Sequence, residues 1–372
     1  MRAAISKNRC RWGGKMLKVL TVDVNNTCSY SCLHCYHKQS NKKGRERISA
    51  AELQNLMAPL KEHGLTDIFL SGGEPLLHPE LNEIFEAAFN LRLYVSILTS
   101  APPNSGYLAG MLADYPNIAQ VRVSIESLQP EVIAYIRNKN DAYRHVITFI
   151  ESIKERRCFF GISSTVSELN LNEIADIFAF AVRNGAGYLR LSPLVTGNEQ
   201  ENLKRTKHTF KHQVEMLLNR IKFLRSTSLA TDFNASGYAW LFDLACPAFS
   251  HTAYLFKEKG ALWLAPCPYA QELRVKVNEF NVLEAFTRIQ KIMLNHNPGK
   301  RCFIFRSLNV SPAKLLFNEI LNLREKNNGD LRYQFLLGNI ITRQLEIFNV
   351  GYFPCWRSSP LMLYPIQNPV MA

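Results

Sequence analysis

The chain has 372 residues, of which 47% are hydrophobic and 20% charged. That balance excludes a disordered chain and predicts one large domain with a smaller appendage. The formal net charge of +13 favours anionic partners, but the basic residues are scattered in short knots such as Lys42–Lys43 and Arg156–Arg157, and no basic stripe interleaved with aromatics supports a nucleic-acid partner.

Residues 1–15 read as a basic arm that lacks the apolar core of a signal peptide. A strand is predicted over Met16–Val24, followed by the loop "NNTCSYSCLHCYHK". A helix over Ser49–Gly64 has Ser49 as cap, Glu52 three residues on and Gly64 as stop, with Pro59 interrupting its second half. Then come a short strand Thr66–Ser71, a helix Pro79–Asn90 with proline at its start, and a strand Arg92–Ser100. A helical stretch over 105–115 precedes a strand Ala119–Ser127. A helix over Pro130–Arg157, broken at Asn138–Asp141, leads to strand Cys158–Val166, and a helix over 171–185 leads to strand Gly187–Ser192. With a helix at Thr206–Arg225 as the last member, these make six strand–helix units, which imply a parallel sheet with helices outside. An open partial barrel and a doubly wound sheet both fit, and either puts function at the C-terminal ends of the strands.

The texture changes after about residue 230. Cys246–Ala270 reads as a β-hairpin around "KEKG", followed by a helix Val282–Asn295, Cys302, helices Pro312–Lys326 and Asp330–Phe348, and a proline-rich tail. No run of about 18 apolar residues predicts a membrane span. The nine cysteines are odd in number and clustered. They argue for metal or redox chemistry in a reducing compartment, hence the cytoplasm, rather than for a disulfide framework.

Cys28, Cys32 and Cys35 are spaced by three and then two residues. Small zinc sites want four ligands and ferredoxin runs carry four cysteines. Three thiolates can instead hold three irons of a four-iron cluster and leave the fourth open to a ligand. One strand later, "SGGEP" supplies two glycines that permit a close backbone approach and a carboxylate, Glu74, able to orient a ligand amine. A plain turn is the alternative reading of the glycines taken alone.

Together, "CSYSCLHCY" and "GGEP" resemble the radical S-adenosylmethionine (SAM) superfamily, over roughly residues 16–200. The resemblance implies a partial (β/α)6 TIM-like barrel over 16–228. It implies that Cys28, Cys32 and Cys35 ligate a [4Fe–4S] cluster, and that Gly72, Gly73 and Glu74 hold the methionine amino group of SAM. One electron from the cluster would then cleave SAM to methionine and a 5′-deoxyadenosyl radical that takes hydrogen from the substrate. His34 would pack near the adenine. Ser124 and Glu126 stand where relatives carry Ser and Asp near the SAM ribose and carboxylate, Glu126 being one methylene longer. Ser163 and Thr165 lie at a further strand end that often touches SAM; for Ser124, Glu126, Ser163 and Thr165 alike, a side chain satisfied within the sheet end is the alternative. The backbone near Leu191 would approach the adenine.

Cys246, Gly260 and Cys267 resemble the opening of the cysteine-rich SPASM extension or its shorter twitch form. A full SPASM extension has seven cysteines with close pairs, and this chain has no later Cys-x2-Cys. The expectation is therefore a smaller α+β domain over 229–310 with one auxiliary [4Fe–4S] cluster at most. Its candidate ligands are Cys246, Cys267, Cys302 and Cys355, with separate buried thiols as the alternative. Residues 311–372 form a helical region and tail.

The resemblance implies oxidative modification or cross-linking of a peptide or protein, with a reducing partner such as flavodoxin or ferredoxin. A small-molecule step in antibiotic or cofactor biosynthesis is the alternative. The 27 residues before Cys28 are too few for the leader-binding domain that many peptide maturases carry. Rivals of another class are a non-catalytic iron–sulfur carrier or sensor, and a zinc module using His34 or His37 as fourth ligand.

Overall fold

The computed structural model describes residues 16–35, 46–167, 169–187, 189–193, 233–234, 248, 251–268 and 270–296. The helices expected at 206–225, 312–326 and 330–348, together with Cys246, Cys302 and Cys355, lie outside the described residues.

The first half alternates strand and helix. It contains β1 (Val19–Asn25), α1 (Ala50–Glu62), β2 (Asp67–Gly72), α2 (Leu81–Asn90), β3 (Tyr94–Thr99), α3 (Leu108–Asp114), β4 (Ile118–Ser124), α4 (Pro130–Arg137), α5 (Ala142–Glu155), β5 (Phe160–Val166), α6 (Ile174–Arg183) and β6 (Leu189–Pro193). A two-residue β7 (Phe233–Asn234) follows, then β8 (Thr252–Glu258), β9 (Ala261–Ala265), β10 (Val275–Val277) and α7 (Val282–His296). The strands form one sheet in the order β10-β9-β8-β1-β2-β3-β4-β5-β6-β7. From β8 through β7 every neighbouring pair is parallel, whereas β9 and β10 are antiparallel additions at one edge. This is the α/β, mostly parallel arrangement expected of a partial barrel. The hairpin expected at Cys246–Ala270 forms as β8–β9 and joins the barrel's sheet directly beside β1.

Local chemistry accounts for the element limits. Ser49 caps α1 in a reciprocal box, its hydroxyl accepting from the Glu52 N–H while Glu52 accepts from the Ser49 N–H. The helix runs through Pro59, which lies in its second half. The predicted break in the helix after Pro130 is sharp: Asn138 adopts a left-handed conformation at φ +52°, so α4 ends at Arg137 and α5 starts at Ala142. Apolar positions recur along α1 at Leu53, Leu56, Met57 and Leu60, and they join Leu20, Val22 and Val24 of β1 in the main core. Side chains alternate along a strand, so Asp23 and Asn25 fall on the opposite face of β1 from those aliphatics. Among the described residues no helix is long and apolar enough to cross a membrane.

Two polar clamps fasten the late hairpin to the early chain. The Lys257 ammonium reaches both Glu52 carboxylate oxygens, at 2.7 and 3.0 Å, and the Gly260 N–H donates to Glu46 at 2.9 Å. Burial raises the Glu52 carboxyl, but Lys257 and Ser49 outweigh it and hold it below its ordinary value of 4.5. A carboxyl depressed in the folded state stabilises that state above its unfolded pKa and loses the contribution as pH falls through the folded value. With both partners partly exposed to solvent, the pair contributes on the order of 0.5 kcal/mol. As the pH falls from about 6 to about 3, the protection factors of the Tyr254 and Leu255 amides, measured against the intrinsic exchange rate at each pH, should therefore fall by about twofold. In Lys257→Met that loss of protection should shrink, with the two proteins converging on the acid side. Identical pH profiles would show that the clamp does not hold the hairpin.

Candidate functional site

Three strand ends and one helix end meet under the cysteine loop. β1 runs out at Asn25, whose side-chain amide donates to the Glu74 carbonyl (3.0 Å) and whose Oδ1 accepts from the Thr27 N–H (3.1 Å). The neighbouring loop answers: the Gly73 N–H donates to the Asn25 carbonyl and the Glu74 N–H to the Thr27 carbonyl, both at 2.8 Å. The two glycines are required by this contact. A Cβ on Gly72, at φ +121°, would lie 2.4 Å from the Asn25 oxygen, and one on Gly73 would lie 2.3 Å from the Thr27 oxygen. The close approach expected of these glycines is thus made by the chain's own cysteine loop.

The far side of the loop is held by α4 and the end of β3. The N–H groups of Ser31 and Leu33, on either side of Cys32, donate to the carbonyls of Arg137 (3.2 Å) and Ile136 (2.8 Å). Tyr30 is buried and its hydroxyl donates to the Ala101 carbonyl at 2.7 Å, with His145 Nδ1 at 3.2 Å. Between these anchors sit Cys28, Cys32 and Cys35, each half-buried. Burial pushes the Cys28 thiol up to about 11, against a lowering hydrogen bond from the Tyr30 N–H, and pushes Cys32 up to about 12. Both thiols also feel the repulsion of Cys35.

This donor set fits an iron–sulfur cluster. Three soft thiols share one partly desolvated loop, Cys35 close enough to add to the raised pKa of the other two, and a bound cation would reverse that penalty by taking them as thiolates. Among the described residues no group of three or more His, Cys, Asp or Glu side chains is placed to hold a single metal ion. The loop suits a cluster whose separate irons each take one thiolate.

The expectation that the Glu74 carboxylate faces a ligand amine does not match its placement. The residue is fully buried. One oxygen accepts from the Thr99 hydroxyl (2.8 Å) and the Leu76 N–H (3.1 Å), the other from the Ser100 N–H (2.8 Å) and hydroxyl (2.5 Å). Burial pushes its pKa up while these four donors oppose the shift. Glu74 is a knot tying the β2 loop to the end of β3, and what this segment can offer a ligand is backbone.

Glu126 departs from expectation in the same way. Its carboxylate, 4% exposed, is paired with Arg137, whose Nε and Nη2 both lie 2.9 Å from Oε2. The extra methylene that distinguishes it from Asp carries it into this ion pair. Burial raises the carboxyl, but Arg137 and, less strongly, His34 more than reverse this. His34 Nε2 lies 3.8 Å from Oε1. Ser124 remains half-buried at the end of β4, although its carbonyl accepts from Arg137. Ser163 and Thr165 are half-buried on the adjoining strand, and the β6 backbone at Leu191 pairs with Ser164.

Arg137, Asn170 and Glu173 were not expected at the site. Asn170, fully buried, donates to the carbonyls of Glu126 (2.6 Å) and Thr165 (2.8 Å), and Glu173 accepts from Ser127 and Leu128. Asn170 and Glu173 lie a few residues beyond the end of β5, whereas Arg137 is the last residue of α4 and had no sequence signal.

Residues 22–181 match the family model described as the Radical SAM superfamily. The sporulation killing factor maturation protein SkfB of Bacillus subtilis is 25% identical over 234 residues, covering 59% of this chain and 56% of that protein. A probable GTP 3′,8-cyclase of Methanothermobacter thermautotrophicus is 27% identical over 188 residues, covering 46% and 56%. Among solved structures, Streptococcus suis SuiB bound to S-adenosylmethionine shares the fold with a TM-score of 0.63 at 14% identity, covering 80% of this chain and 76% of that one. SuiB is also solved with its precursor peptide SuiA, with a TM-score of 0.58 at 15% identity over 72% of this chain and 63% of that one. The chain spans little more than half the length of these curated relatives. With the matching segment come the superfamily's cofactors, a [4Fe–4S] cluster and SAM.

The glycine contact predicts the behaviour of Gly73→Ala. Relieving the overlap with Thr27 should destabilise the fold by about 2 kcal/mol or more and displace the cysteine loop. Thermal unfolding of the apoprotein and iron bound per chain after anaerobic reconstitution should both fall. A variant that melts and loads like the parent would show that the two loops are not coupled.

Proposed function

We propose that this chain, whose residues 22–181 belong to the radical SAM superfamily, is an enzyme that oxidatively modifies or cross-links a peptide. The observation that carries the reading is the clamped loop of Cys28, Cys32 and Cys35 at the C-terminal edge of a parallel sheet. When bound, the cofactors supply a one-electron cleavage of the carbon–sulfur bond of SAM and, from it, the abstraction of a hydrogen atom from the substrate. The chain's own residues do the rest. Asn25, Gly72 and Gly73 fix where the loop begins, α4 fixes its middle, and the backbone of the glycine loop with the half-buried Ser124 borders the place for SAM. The burial that raises the thiols also keeps water from the reacting groups.

A peptide substrate is favoured because SuiB has been solved with a precursor peptide, and SkfB is named for maturation of the sporulation killing factor. The match to a GTP 3′,8-cyclase supports the second reading, a small-molecule substrate. An auxiliary cluster would draw on Cys267, which is half-buried two residues beyond β9. A flavodoxin or ferredoxin would deliver the electron.

The test is run without oxygen. The purified chain is reconstituted with iron and sulfide, given dithionite and SAM, and assayed for 5′-deoxyadenosine. We expect deoxyadenosine from the parent and none from Cys32→Ala; a parent that binds iron yet never cleaves SAM, with or without candidate peptides, would leave an electron carrier or sensor. About four irons per chain would indicate the loop cluster alone and about eight a second cluster. Mass spectrometry of short peptides encoded nearby should show a loss of hydrogens or a new cross-link. Cys267→Ala should still cleave SAM but lose the modified product, and unchanged product would remove the auxiliary cluster from the reading.

A further inference from the structure

Arg137 is the most heavily committed side chain near the cysteines. It is 1% exposed at the end of α4. Its guanidinium donates to the Ser100 carbonyl beyond β3 (2.6 Å), to the Ser124 carbonyl of β4 (2.6 Å) and to Glu126 (2.9 Å), and it lies over the Tyr30 ring, 5.2 Å from the centre. The same residue's carbonyl holds the Ser31 N–H, and its neighbour's holds Leu33. One position therefore ties two strand ends to both backbone flanks of Cys32.

We propose that the Arg137–Glu126 pair is a positioning device that also sets the reduction potential of the cluster on this loop. The inference rests on the iron–sulfur reading above. A cluster that accepts one electron, with no proton, becomes more negative by one charge. A cation held beside it in a desolvated site favours that state, and an anion opposes it. The two charges meet the loop at different points: the guanidinium lies over the ring of Tyr30, between Cys28 and Cys32 in the chain, and Glu126 Oε1 lies 3.8 Å from the ring nitrogen of His34, next to Cys35. Neutralising either partner should shift the potential, in opposite directions.

The experiment follows the electron paramagnetic resonance signal of the reduced cluster in reconstituted, full-length protein poised anaerobically with dithionite and mediators. At the parent's midpoint, Glu126→Gln should raise the reduced-to-oxidised ratio by about threefold or more, and Arg137→Gln should lower it by a similar factor. Arg137→Lys keeps the charge but not the planar fork, so it should recover much of the ratio while melting earlier than the parent as apoprotein. Should Arg137→Gln fail to fold or to load iron, Glu126→Gln decides alone, and an unchanged or lowered ratio overturns the proposal. Shifts of the same sign in both variants, or none in either, also overturn it. A parent chain that takes up no iron overturns the underlying reading and this one with it. Iron-loaded variants with the parent's ratio overturn only this one.

Discussion

Two backbones meet without a side chain between them where Gly72–Gly73 pack against Asn25–Thr27, and the cysteine loop depends on that contact. β1 and β2 are parallel neighbours, and their register shifts between Asp23 and Asn25, just before the loop begins. The shift lets Asn25 turn its amide and its carbonyl toward the glycine loop, so that one residue anchors the exchange in both directions. An alanine at either glycine would push the loops apart by a large fraction of a van der Waals radius. Because Cys28 follows Thr27 directly, such a displacement would reach the first thiol undiminished. The glycine pair therefore acts on any cofactor through the loop that carries the thiols, and this explains why a segment one strand away bears on the cysteine site.

Around this contact lies a belt of buried polar groups. Glu74, Glu126, Arg137, Asn170 and Glu173 are each 6% exposed or less, yet each has hydrogen-bonding partners. Buried ion pairs return little net stability, because desolvation offsets most of their attraction. Directionality is what such groups add. A carboxylate with four donors, or a guanidinium shared between two strand ends and an acid, has one satisfactory arrangement, whereas an aliphatic contact tolerates many. The strand ends are thus held by geometry in the one region where a cofactor needs positions fixed within fractions of an ångström. On the helix-facing side of the sheet the core is built mainly of aliphatic packing.

That division also governs what could be read from the sequence. The periodic apolar residues of α1, the capping box at Ser49 and the stop at Asn138 are local signals, and the alternation of strands and helices followed from them. The cysteine spacing and the glycine pair were likewise visible as patterns. Partners at long range were not. Glu74 read as a ligand-facing acid because a sequence shows a carboxylate but not the donors that enclose it; three of its four donors come from 25 and 26 residues away. Arg137 carried no signal in the sequence, since nothing local distinguishes an exposed arginine from one enclosed by β3, β4 and Tyr30. The pairing of β8 with β1, more than two hundred residues apart, had no local signature either.

That pairing constrains the second set of cysteines. β8 runs parallel to β1, so β9, which is antiparallel to β8, runs back toward the start of β1. Ala265 pairs with Tyr254, and Tyr254 with Thr21. Cys267, two residues further on, therefore lies toward the N-terminal end of β1, whereas Cys28 lies beyond its C-terminal end. Thr21 and the last residue of β1, Asn25, are four strand residues apart, on the order of 13 Å at about 3.3 Å per residue, and the chain leaves the sheet toward Cys267 and toward Cys28 from opposite ends of that span.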